Sequence, residues 1–96
     1  MKTREEVLAI LVQHKPRLQQ QFPIRRLAVF GSYARGEQRE ESDVDILVDV
    51  DPSIGLEFVS LAEAIEQALG LHVDLVSSRA IKPRNWAVIE PELIDV

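Results

Sequence analysis

Residues 43–50, Asp-Val-Asp-Ile-Leu-Val-Asp-Val, alternate with a period of two. Side chains along a strand point to opposite faces in turn. Val44, Ile46, Val48 and Val50 therefore share one face, and Asp43, Asp45, Leu47 and Asp49 share the other. A strand with this pattern cannot stand alone: its apolar face needs cover and its backbone needs neighbours. The rest of the chain supplies both. "RRLAVF", residues 25–30, is apolar enough for a buried strand, and "LHVDLVS", residues 71–77, alternates again, with Leu71, Val73 and Leu75 opposite His72, Asp74 and Val76. Apolar residues near helical spacing (Val7, Leu8, Ile10, Leu11, Leu18, Phe22) predict a helix over 3–20, started by Thr3 with Glu5 and Glu6 behind it. Pro16 is expected to kink or split it. A second stripe, Phe58, Leu61, Ala62, Ile65 and Leu69, predicts a helix stopped by Gly70. "YARGE" predicts a short helical turn ended by Gly36, and "DPSIG" a turn. A last helix is expected in "KPRNWAVIEPELI", with Pro83 in its first turn and Pro91 bending or ending it. The order α-β-α-β-α-β-α describes an α/β (α+β) fold, a small sheet packed with helices, in one domain over residues 1–96.

Composition narrows the function classes. The net charge is −5, which disfavours binding along a nucleic-acid backbone. Cysteine is absent, which removes disulfides, thiol catalysis and thiolate metal sites. No apolar run approaches the roughly 20 residues that span a bilayer, and the charged start "MKTREEVLAI" has no signal-peptide core. A cytoplasmic protein with no membrane partner is expected.

The chemistry concentrates around Asp43 and Asp45. Residues i and i+2 of a strand point the same way, about 6–7 Å apart along the chain, so their carboxylates can share a cation. Magnesium takes a few carboxylates, waters and phosphate oxygens, and two-metal sites stabilise in-line phosphoryl transfer. Asp74 has the parity of a third acid on a neighbouring strand, suited to holding metal and to accepting the proton of an attacking hydroxyl. Ten residues before Asp43 stand Gly31 and Ser32. Gly31 permits a tight turn and close backbone approach, the turn presents free N–H groups to phosphate, and Ser32 adds a hydroxyl. An Asp-x-Asp at a strand start is by itself more often a solvated turn, and a lone Gly-Ser is weaker still. Together at this spacing they describe a nucleoside triphosphate site. Arg35 is placed to reach the triphosphate or, equally, to pair on the surface with Glu37 or Glu41. Arg79, Lys82 and Arg84 read as a solvated face, Asp49, His72 and His14 as surface residues, and Trp86 as packing for the last helix. Tyr33 either stacks near a nucleotide or covers the edge of the core.

Gly31-Ser32, ten residues, then Asp43-Val44-Asp45 resembles the signature of the nucleotidyltransferase superfamily related to DNA polymerase beta. "GSYARG", the short length and "VDLV" at 73–76 are similar to its minimal nucleotidyltransferase (MNT) subgroup. The resemblance implies an α-β-α-β-α-β core with a mixed sheet. It implies Mg²⁺, two ions with nucleotide bound, held by Asp43, Asp45 and Asp74, and ATP positioned by Gly31 and Ser32. It further implies an antitoxin of the type VII toxin–antitoxin class, transferring AMP to a tyrosine of a HEPN-domain toxin. With no second domain in these 96 residues to hold an acceptor, a partner is expected to present it. Two alternatives stay open: a small-molecule acceptor presented by a separate helical substrate-binding subunit, and an antitoxin that neutralises by contact without catalysis.

Overall fold

The computed structural model describes residues 2–96. Helix α1 is Arg4–Gln21, β1 is Ile24–Phe30, α2 is Gly31–Arg35, β2 is Val44–Val50 and α3 is Glu57–Leu69. Strand β3, Val73–Ser77, then leads through a 3₁₀ turn to α4, Pro83–Ile89, and β4, Ile94–Asp95. The four strands form one mixed sheet in the order β3-β2-β1-β4. β1 runs antiparallel to both its neighbours, and β2 and β3 are parallel, joined by the α3 crossover. The two-residue β4 goes beyond the sequence expectation, which placed only helix after β3. Nothing in Ile94–Asp95 alone calls for a strand; its partner Ala28–Val29 on β1 does.

The α1 start is a capping box. Thr3 Oγ1 accepts from the Glu6 N–H at 3.1 Å, and Glu6 Oε1 accepts from the Thr3 N–H at 3.0 Å. The Thr3 N–H, with the Thr3 hydroxyl second, holds the Glu6 carboxyl below its ordinary pKa. Pro16 does not split the helix, which runs unbroken to Gln21. Pro16 and Val12, the residue whose carbonyl loses an amide partner, both lie on the exposed side, where water replaces that bond.

The sheet has two unlike faces. On one, Leu27, Val29, Val44, Ile46 and Val48 pack against Val7 and Leu11 of α1 and Leu61, Ile65 and Leu69 of α3. Each of these side chains is buried to within about 1% of completeness. Full burial of such a side chain is worth about 1.5–3 kcal/mol, so this layer carries most of the stability. On the other face Ala28, Phe30 and Leu47 form a smaller cluster, covered by the partly exposed Val76, Ile81, Trp86, Ile89 and Leu93. Trp86 thus packs α4 on the sheet, as its sequence position suggested. Leu47, set between Asp45 and Asp49 on an otherwise acidic face, is fully buried there. Asp49, expected in solvent, is half-buried opposite Arg26.

Candidate active site

Strand direction builds the site. β1 is antiparallel to β2 and β3 is parallel to it, so the end of β1 and the starts of β2 and β3 meet at one edge of the sheet. In register, Phe30 lies opposite Asp45, and Asp45 lies opposite Asp74. Neighbouring strands are about 4.8 Å apart, which sets the two aspartates side by side on the same face. Asp43 precedes β2 at its entrance and is exposed, as is Asp74, while Asp45 is half-buried.

Gly31 follows Phe30 directly and opens α2 with φ +72°. Its need for glycine is double. The left-handed backbone disfavours any other residue, and a Cβ would lie 3.0 Å from Asp45 Cγ and would overlap the carboxylate. The turn and the second acid are therefore packed backbone against carboxylate. Ser32 is half-buried beside them, and Gly36, also at φ +72°, ends the helical turn after Arg35.

The charge is uncompensated. Burial pushes the Asp45 carboxyl above the ordinary aspartate range; the nearby charges of Asp74 and Asp43 add to the rise, and Arg35 opposes it. None of the three aspartates makes a salt bridge among the described residues. Their side chains do not by themselves close into a cluster that could hold a metal ion. The donor chemistry nonetheless fits a hard divalent cation: three carboxylates at one sheet edge, unpaired, with Asp45 raised by burial first and by the charge of the other two second.

The cationic side of the site is already engaged. Glu92, in the turn between α4 and β4, accepts the Gly31 N–H on Oε2 at 3.1 Å and Arg35 Nη1 on Oε1 at 2.7 Å. Arg35 Nε also bonds Glu37 Oε1 at 2.8 Å. Of the two sequence readings for Arg35, the structure displays the surface pairing with Glu37, adds Glu92, and gives Glu41 no part in it. Glu92 was not legible beforehand: it is 61 residues from Gly31, and no local pattern marks it. Tyr33 is 1% exposed within the main core, which removes it from any stacking role. His72 is exposed, 3.7 Å from Glu66.

A groove of about 560 Å³ abuts the site through Asp43 and is lined by Glu40, Glu41, Glu63, Glu66 and His72, among others. Among the described residues no helix is long and apolar enough to cross a membrane.

Known proteins share the family and the fold. The family profile described as "Nucleotidyltransferase domain" matches residues 11–95. The protein adenylyltransferase MntA of Thermococcus cleftensis is 51% identical over 84 residues, 85% of this chain and 84% of that protein. A solved structure provisionally named a minimal nucleotidyltransferase is 38% identical, with a TM-score of 0.68 over 97% of this chain and 88% of that one. A complex of a tri-AMPylated Shewanella oneidensis HEPN toxin with an MNT antitoxin has the same fold. It is 22% identical, with a TM-score of 0.58, covering 96% of this chain and 66% of that one.

Proposed function

The chain belongs to the nucleotidyltransferase domain family and is a nucleotidyltransferase; from that premise we propose that it transfers AMP from ATP to a tyrosine hydroxyl of a HEPN-type toxin, and so acts as the antitoxin of the pair. The observation that carries the reading is the convergence at one sheet edge of the Gly31 turn, Asp45 packed against it and Asp74 in register beside Asp45. The MntA relative is named a protein adenylyltransferase, and the MNT antitoxin of like fold sits with an AMPylated HEPN toxin, which supports the acceptor class.

In this reading Gly31 and Ser32 hold the triphosphate. Asp43, Asp45 and Asp74 would hold Mg²⁺, which would supply neutralisation of the phosphate charge and of the leaving group. The acceptor oxygen attacks the α-phosphorus in line. The bond from that phosphorus to the bridging oxygen breaks, pyrophosphate leaves, and the hydroxyl proton passes to the Asp74 carboxylate. Asp74 suits that role because it is the exposed one of the two in-register acids, reachable from outside the sheet edge.

The test uses the candidate toxin with ATP, Mg²⁺ and this chain, separation under denaturing conditions, refolding and intact mass. The expected result is a toxin heavier by one AMP or a multiple of it and inactive after separation, with no gain when Asp43→Asn/Asp45→Asn replaces the wild type. A toxin that stays unmodified and is inhibited only while bound, equally by the double variant, overturns transfer in favour of neutralisation by contact.

A further inference from the structure

Glu92 occupies the groups that a donor phosphate would need. Its two carboxylate oxygens take the Gly31 amide and the Arg35 guanidinium together. These are an N–H donor and a cation on one side of the Asp45 carboxylate, the pair of contacts that an anionic phosphate oxygen seeks. Building on the nucleotide site argued above, we propose that Glu92 is a latch: a carboxylate that holds the phosphate contacts and must swing out before the triphosphate can seat.

Three features make a latch of it. First, the side chain is mobile in principle while its backbone is not. Glu92 is 24% exposed at the side chain, whereas Leu93 packs in the smaller core and Ile94 against the main one. The carboxylate can leave without undoing β4. Second, its position is electrostatically costly: Glu92 adds its charge to an edge that already holds three acids, and it is one of the charges that disfavour ionised Asp45. A phosphate bound with its cation relieves that crowding, which a carboxylate alone does not. Third, Arg35 is shared between Glu92 and Glu37, so after release it keeps an anchor on α2's own side and can turn to phosphate. The nucleotide thus exchanges one anion for another, and its apparent affinity is lowered by the fraction of molecules in which the latch is shut.

The experiment measures binding, not turnover. Calorimetric titrations with Mg-tripolyphosphate, which has no base or sugar, and with MgATP are run on the wild-type chain and on Glu92→Ala, Glu92→Gln, Glu37→Ala and Asp45→Asn, each confirmed folded by its thermal melt. Glu92→Ala is expected to tighten both ligands roughly three- to tenfold, Glu92→Gln less, and Glu37→Ala least, because the Gly31 contact survives in it. In the wild type, saturation with tripolyphosphate should also shift the ¹³C carboxyl resonance of Glu92. Equal or weaker binding by Glu92→Ala, an effect of Glu37→Ala as large, or an unmoved Glu92 resonance at saturation overturns the latch. The nucleotide site itself still stands in those cases, provided that Asp45→Asn weakens wild-type binding. If neither the wild type nor Glu92→Ala binds either ligand, latch and site reading fall together.

Discussion

The two faces of the sheet differ as a scaffold differs from a workplace. The α1/α3 face buries Val7, Leu11, Leu61, Ile65, Leu69 and the inward residues of β1 and β2, with no charged side chain among its buried members. The α4 face keeps only Ala28, Phe30 and Leu47 fully or nearly buried and leaves its covering residues partly in solvent. The edge of that second face also bears Asp43, Asp45 and Asp74, with no salt-bridge partner among the described residues. The lesson is one of division. A chain of 96 residues has one core to spare, and it places that core on the side away from the chemistry. Local destabilisation at the acidic edge is then tolerated because the other side supplies the free energy.

The sharpest test of this division is to neutralise an acid. Asp45→Asn is expected to lower AMP transfer by about 10²–10³-fold or more, the range seen when one charge-stabilising group is lost, with the fold retained. Transfer assays beside a thermal melt check both halves, and an active Asp45→Asn protein breaks the assignment. On the scaffold side, Leu61→Ala should cost about 2–5 kcal/mol in urea unfolding. Val76→Ala, half-buried on the thin face, should cost about 1 kcal/mol or less. Equal losses would erase the contrast between the faces.

Gly31→Ala sits between the two regimes. Its positive φ and the overlap with the Asp45 carboxylate predict a loss of about 1–3 kcal/mol together with weaker nucleotide binding. A variant as stable as the wild type would mean that the turn is looser than drawn. A smaller effect follows from proton linkage. Asp45 is raised in the folded state, so relative to the unfolded chain its contribution is most favourable below the ordinary aspartate pKa and is lost as pH rises through the elevated folded value. In chelator, Asp45→Asn should therefore melt above the wild type at neutral pH, and the gap should close as pH falls below about 4. A gap that widens in acid contradicts the stated cause. The least effect belongs to Asp95→Asn. Its two bonds to Arg26, at 2.6 and 3.1 Å, are exposed at an edge strand, and their loss should cost under about 1 kcal/mol, shrinking with added salt.

Much of this was legible in the chain. The alternation at residues 43–50 placed β2 and its parity correctly because a strand's period is a local property. Thr3 and Glu6 mark the start of α1, and Gly36 and Gly70 end α2 and α3, because caps are local too. The motif Gly31-Ser32 to Asp43-Val44-Asp45 marked a turn and a strand entrance, because each is a local property of the chain.

Pairings between distant residues were not legible. The sequence determined by itself the elements up to α4, the apolar side of the main helices and the residue types gathered near β2, all of which follow from backbone period and side-chain chemistry within a few residues. Only the tertiary structure decided that Asp74 stands in register with Asp45 rather than one residue to either side, since a parallel register is set by how α3 returns the chain. It alone decided that Ile94 and Asp95 form a fourth strand, that Leu47 is roofed by α4 instead of facing water, and that Glu92 reaches Gly31 and Arg35. Each of these depends on contacts between residues tens of positions apart, and such contacts exist only after the sheet has brought those residues together.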